Sequence, residues 1–301
     1  MGSGDRIRQV KDRFRQGEEQ EISSHVEEEV FRVGPYRITR QGESYVLYED
    51  SRKIGEYKEL VIDNGNRALL DMGRGMILEV RASGYRPLYS IDRAYLHGLL
   101  CANGSARKEV GRYRVQLHNG SDAYQEFIRV IREIFGVKIS TRYRGDKGKG
   151  HYTEFTVYGR DILEDLLKYG AEIGRRNWRP PIEYLDEKGK CAWLQGYFDG
   201  DGGVSSYQKR RHTYATIYAK SVNVKGLMMV RDMLEELGIK AKLYGPLRSR
   251  GEFGESLEYE LRINSIDSIM KFYEKIGFRS PSKARKLRDI IERMRRERFE
   301  Q

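Results

Sequence analysis

The chain has 301 residues, 39% of them hydrophobic, and 56 Lys and Arg against 45 Asp and Glu give it a formal charge of +11. That content supports a folded core and excludes a disordered chain, and the cationic excess favours a polyanionic partner through counterion release. No apolar run approaches 18 residues and no charged-then-apolar leader is seen, so neither a membrane span nor a secretion signal is expected. Cys101 and Cys191 have no Cys-x-x-Cys or His spacing, which argues against a zinc site or a disulfide framework. An intracellular setting, cytoplasmic or organellar, is therefore expected.

Residues 1–88 are expected to form a strand-rich accessory domain of unknown role. Asp5 to Gln20 has the charge density of an exposed helix, and Glu27, Glu28 and Glu29 follow. Residues 31–82 then fall into short strand-like runs broken by Gly34-Pro35, Asn64-Gly65 and Gly73-Arg74-Gly75. Protein splicing is not expected, because no nucleophilic Cys or Ser opens the chain and no His-Asn pair closes it.

Two nine-residue segments carry most of the information. Residues 96–104 read LHGLLCANG and residues 194–202 read LQGYFDGDG, each a short apolar helix ending in a polar residue and a glycine. They differ at one chemical point: Asp201 of the second is Asn103 of the first. The similarity continues along the chain. Residues 124–136 (YQEFIRVIREIFG) match 226–238 (GLMMVRDMLEELG), and 162–170 (ILEDLLKYG) match 269–277 (IMKFYEKIG). The offset drifts from 98 to 102 to 107, so insertions are expected in the loops between helices.

Between these helices the residue types alternate with period two, as strands with one face on a core do. Arg112, Arg114 and Gln116 alternate with Tyr113, Val115 and Leu117, and Lys138, Ser140, Arg142 and Arg144 with Val137, Ile139 and Tyr143. In the second half Tyr214, Thr216, Tyr218 and Lys220 alternate with Ala215, Ile217 and Ala219, and Lys240, Lys242 and Tyr244 with Ala241 and Leu243. None of the outward positions is acidic, which suits nucleic acid better than a plain solvated face. Lys147, Lys149, Lys209, Arg210 and Arg211 at hairpin tips, with Arg248 and Arg250, are expected phosphate contacts.

The two motifs, their spacing and the repeated helices resemble the single-chain LAGLIDADG homing endonucleases over roughly residues 90–296. Leu194, Gly196, Asp199, Asp201 and Gly202 occupy the family's positions in the second copy, and Leu96, Gly98, Leu99 and Gly104 do so in the first. The resemblance implies an α/β (α+β) fold of two pseudo-symmetric αββαββα repeats, residues 89–185 and 186–301, forming a DNA-binding saddle. Gly98 and Gly196 would let the motif helices approach closely. It further implies a monomer that cuts both strands of a specific duplex site. Mg²⁺, or another divalent cation such as Mn²⁺ or Ca²⁺, would be held by one carboxylate from each half beside the carbonyls of Ala102 and Gly200. Lys220, His118 at the matching position of the first half, and Lys283 are the basic candidates for stabilising the scissile phosphate.

Asn103 is the departure from the family pattern. An amide offers a carbonyl oxygen to a metal but neither negative charge nor a base. It fits a substitution that traps uncut DNA, a nickase, or a descendant that binds without cutting. The rival class is a non-cleaving binder on the same scaffold, an intron-RNA maturase or a transcription factor. A calcium loop is a poor reading of residues 199–202, because Gly203, Val204, Ser205, Ser206 and Tyr207 follow instead of spaced oxygen ligands.

Overall fold

The computed structural model describes residues 27–63, 65–109, 112–119, 122–145, 152–174, 176–210, 212–251 and 254–299. The helix expected over Asp5 to Gln20 and the tip residues Lys147, Lys149 and Arg211 lie outside them. The chain divides into two compact units, residues 1–70 with 80–84 and residues 71–79 with 85–301.

Up to Tyr89 the described chain is built of strands. β1 (Glu28–Val33), β2 (Tyr36–Gln41), β3 (Ser44–Glu49) and β4 (Arg52–Tyr57) form a sheet in sequence order, and β5 (Leu60–Asp63), β6 (Arg67–Gly73), β7 (Met76–Arg81) and β8 (Gly84–Tyr89) form another. The turns are tight. Gly34, between β1 and β2, has φ +56 and would press a side chain to 3.2 Å from the Ala82 carbonyl oxygen, so glycine is required there.

From Ile91 the chain runs twice through one element order. The first pass is α1 (Ile91–Asn103), β9 (Gly104–Glu109), β10 (Arg112–Asn119), α2 (Tyr124–Phe135), β11 (Ser140–Arg144), β12 (Tyr152–Tyr158) and α3 (Arg160–Lys168). The second is α4 (Glu187–Asp201), β13 (Gly202–Lys209), β14 (His212–Ser221), α5 (Val224–Glu236), β15 (Lys242–Gly251), β16 (Gly254–Ile263) and α6 (Ile266–Lys275), and α7 (Pro281–Phe299) comes after it. The sheet orders agree, β9-β10-β12-β11 and β13-β14-β16-β15. Leu96, Leu99 and Leu100 pack with Val115, Leu117, Phe127 and Phe155 in one core. Leu194, Tyr197 and Phe198 pack with Ile217, Ala219, Leu261 and Phe272 in the other.

Strand register fixes which residues correspond. Gly104 pairs with Leu117 and Leu117 with Phe155, while Gly202 pairs with Ala219 and Ala219 with Leu261. Part of the offset drift expected in loops lies in the strands themselves. β13 and β14 have 8 and 10 residues where β9 and β10 have 6 and 8. Growth by two residues per arm keeps every side chain on its face, which a single insertion would not. Lys138 and Lys240, expected within strands, instead precede β11 and β15, in connections whose preceding glycines, Gly136 and Gly238, turn the chain at positive φ.

α1 and α4 are buried on nearly every side, as central helices are. They touch through glycine. A Cβ on Gly98 would lie 2.0 Å from the Trp193 carbonyl oxygen, and one on Gly196 would lie 2.1 Å from that of Tyr95. Below real contact distances in both directions, backbone meets backbone.

A polar strap between α6 and α7 ties the repeats together. The backbone N–H groups of Arg279 and Ser280 donate to the buried Asp199 carboxylate at 3.0 and 3.2 Å, and the Tyr95 hydroxyl donates to it at 2.8 Å. The Arg279 guanidinium donates to Asp92 at 2.7 Å and to Gln195 at 2.8 Å, lying over the Tyr95 ring. Ser280 Oγ and the Ser282 N–H donate to Asp122 of the first repeat. Burial pushes the Asp199 carboxyl up to about 6, against the pull of the Tyr95 hydroxyl and the backbone donors.

Two outcomes are expected. Gly98→Ala or Gly196→Ala should destabilise the fold by about 3 kcal/mol or more in urea denaturation, because backbone atoms must move apart. Gly174→Ala, which meets nothing within 4 Å, should be close to neutral. For Asp199 the folded pKa is raised, so its stabilising contribution is present below the ordinary carboxylate value and lost as pH rises through about 6. Asp199→Asn should therefore gain on the parent chain between pH 4.5 and 7.5, by about 2 kcal/mol. A pH-independent gap between the two denaturation curves would contradict the assignment.

Candidate active site

Asn103 and Asp201 are the last residues of α1 and α4. Both helices stop in the same way. Gly104 and Gly202 leave in extended conformation with their N–H groups on Leu100 and Phe198 carbonyls. Between the helix ends the approach remains close: a Cβ on Gly200 would lie 2.3 Å from Ala102 Cβ and 3.2 Å from the Asn103 side-chain nitrogen.

The two ends open into one cleft of about 470 Å³. Ala102, Asn103 and Gly104 line it from the first repeat, and Asp201, Lys220, Ser221, Val222 and Glu258 from the second, with Trp178 from the connection. Lys220 is exposed at the end of β14, as its strand alternation predicted. Among the described residues no group of three or more His, Cys, Asp and Glu side chains is placed to hold a metal ion. Any divalent ion would rest on Asp201, the Asn103 amide oxygen and backbone carbonyls.

Lys283 has a definite role in the geometry. Its ammonium donates to the carbonyl oxygens of Phe198 at 3.1 Å, Asp199 at 2.6 Å and Gly200 at 3.4 Å, so it caps the C-terminus of α4. Burial pushes its pKa down, while the Asp199 and Asp201 charges oppose that shift. A cation at the negative end of the macrodipole offsets the cost of ending that helix in Asp201. The Gly200 carbonyl expected beside a metal is thus shared with Lys283.

Register places the pairs across each sheet. His118 faces Glu154, and Lys220 faces Glu260, in equivalent positions. Glu260 forms a 2.7 Å ion pair with Arg262, which holds its carboxyl below the usual range. The outward faces are therefore not free of acid. The acid-free alternation seen in the sequence is confined to one strand of each pair, and Glu154, Glu258 and Glu260 stand on the partners. The alternation of Glu258, Glu260 and Arg262 with Leu257, Tyr259, Leu261 and Ile263 carries that signal.

Other nominated contacts divide by position. Arg112, Arg142, Lys209, Arg210 and Lys242 are exposed, and Arg114 and Tyr218 are half-buried on the outward faces. Gln116 is buried, and its amide donates to Glu154 and Thr156 at 3.0 Å, so its donors are spent within the sheet. Arg144 stands opposite Tyr152 on β11. The irregularity between Tyr244 and Leu247 changes the face that the rest of β15 presents. Leu247 pairs with Glu258 and Arg248 with Leu257, which puts Arg248 on the Leu257 side, away from Lys220, and Arg250 stands opposite Glu255 in the register. No helix among the described residues is long and apolar enough to cross a membrane.

Elongation factor 2 of Methanopyrus kandleri is 28% identical over 209 residues, 67% of this chain and 14% of its own length. The chain thus spans about a seventh of that relative. Among solved structures, mesophilic variants of the homing endonuclease I-DmoI superpose with a TM-score of 0.45 at 18% identity, over 66% of this chain and 97% of theirs. Full-length DUF199/WhiA from Thermatoga maritima superposes with a TM-score of 0.45 at 20% identity, over 71% and 63%. Residues 188–277, the second repeat from α4 to the glycine that ends α6, match the LAGLIDADG-like domain family.

Proposed function

We propose that this chain is a site-specific duplex DNA endonuclease by design, acting as a monomer, with phosphodiester hydrolysis centred on Asp201 and weakened or restricted to one strand by Asn103. The observation that carries the reading is the meeting of two helix C-termini, each ending in an oxygen-bearing side chain, in one cleft beside Lys220. The match of the second repeat to the LAGLIDADG-like domain supports it. A carboxylate at the negative end of a helix is locally unfavourable, so its place there calls for a task outside the helix.

The donor set fits a hard divalent cation such as Mg²⁺, which takes oxygen ligands and keeps several waters. The Asp201 carboxylate, the Asn103 amide oxygen and the Ala102 carbonyl would hold it. When bound, such an ion neutralises charge on the phosphate and acidifies a water. The chain's own groups do the rest. The Lys220 ammonium donates to a non-bridging phosphate oxygen, and Trp178 and Val222 give the cleft an apolar wall. Asn103 orients by its amide but accepts no proton.

That same amide favours the second reading, a protein that binds nucleic acid without cutting, as an intron-RNA maturase or a transcription factor would. A pure binder needs neither Asp201 nor a second carboxylate. Asn103→Asp should raise Mg²⁺-dependent double-strand cleavage of a bound duplex by on the order of 100-fold, the effect of the several kcal/mol that metal charge stabilisation supplies. If that variant binds its duplex and still leaves it uncut, the enzymatic reading fails. Competition between duplex DNA and structured RNA separates a maturase from the two DNA-directed readings, and preference for RNA supports the maturase. In either case affinity should fall roughly 10³-fold between 50 and 200 mM salt, measured by fluorescence anisotropy.

A further inference from the structure

The two hairpins that come after the motif helices have diverged in chemistry at corresponding places. Gly104 and Gly202 anchor the correspondence, and register extends it outward along both arms. In the first repeat the successive outward pairs are Ser105 with Gln116 and Arg107 with Arg114, and Arg112 stands opposite Glu109 in the register. In the second they are Gly203 with Tyr218, Ser205 with Thr216 and Tyr207 with Tyr214, with Lys209 and His212 paired beyond them at the tip. Every arginine of the first hairpin face is a hydroxyl or aromatic residue in the second.

The side chains are arranged for contact. Arg107 and Arg112 are exposed. Tyr207 is 61% and Tyr214 44% exposed, and their rings stack at 5.2 Å with 10° between planes. The Tyr218 ring crosses Gly203 so closely that a Cβ there would lie 2.8 Å from it. A run of three tyrosines with a threonine thus forms a largely apolar outward strip, which water does not favour and which no element of the described chain covers. Guanidinium groups reach guanine O6 and N7 bidentately, whereas ring edges and methyl groups suit the thymine C5-methyl.

Resting on the duplex-binding reading above, we propose that the two halves of the target are read by different chemistry. The β9–β10 hairpin selects guanine through Arg107, Arg112 and Arg114, and the β13–β14 hairpin selects thymine methyls through Tyr207, Tyr214 and Thr216.

The test uses the full chain and a randomised duplex library, and then modified versions of the retained site. Guanines should be enriched in one half and thymines in the other. Replacing guanine by 7-deazaguanine in the first half should weaken binding roughly tenfold per contacted base. Replacing thymine by deoxyuridine in the second should weaken it roughly threefold to fivefold per methyl. Arg107→Ala with Arg112→Ala and Arg114→Ala should abolish only the first penalty. Tyr207→Ala with Tyr214→Ala and Thr216→Ala should abolish only the second, and Tyr214→Phe alone should retain it. Equal responses of the two halves, or a deoxyuridine penalty that survives the triple alanine variant of the second hairpin, would overturn the inference while leaving duplex binding intact. Failure to retain any duplex would instead sink the binding reading beneath it.

Discussion

Everything at the centre of this molecule depends on two helices meeting backbone to backbone. Gly98 and Gly196 face the carbonyl oxygens of Trp193 and Tyr95 at distances no side chain could occupy. That contact is reciprocal, and it sets α1 and α4 close enough for Ala102, Asn103 and Gly200 to crowd one another at the far end. Were the helices separated by an ordinary side-chain layer, at typical interaxial distances of about 8–10 Å, the two polar ends could not share one cleft. Glycine here controls chemistry through distance.

Close approach concentrates like charge. Two helix C-termini bring two sets of unpaired carbonyls and at least one carboxylate into the same small volume, and each repels the others. The molecule answers with Lys283 on three carbonyls of α4 and with the Asp199 carboxylate turned inward to gather backbone N–H groups of the 279–280 strap. Arg279 extends the same strap to Asp92 and Gln195. Asp199 and Asp201 are two residues apart in sequence, yet one is a buried organiser and the other faces the cleft.

Much of this is legible in the sequence. Helix order, terminating glycines and the pairing of Asn103 with Asp201 all derive from a repeat whose period-two and helical spacings are preserved. The features that escape are long-range or irregular. The hold of Lys283 on α4 spans some 80 residues and leaves no local spacing. The bulge after Tyr244 reverses the face of Arg248 without altering the composition of its strand. Glu154, Glu258 and Glu260 lie on strands whose pairing partner must be known before their charge can be placed beside His118 or Lys220. Periodicity tells which face a residue takes along one strand, whereas neighbours across a sheet are a matter of register.

The two repeats keep their backbone correspondence where packing demands it and depart from it where ligands would be met. Glycines, core positions and sheet order agree between them. By register Asp201 and Lys220 of the second repeat correspond to Asn103 and His118 of the first, so the two repeats differ in charge at both positions. The hairpin faces change in concert, arginine for tyrosine and threonine. A repeated scaffold that keeps its core and changes its cleft and hairpin faces is suited to an asymmetric partner, and the imbalance at Asn103 belongs to that same pattern of divergence.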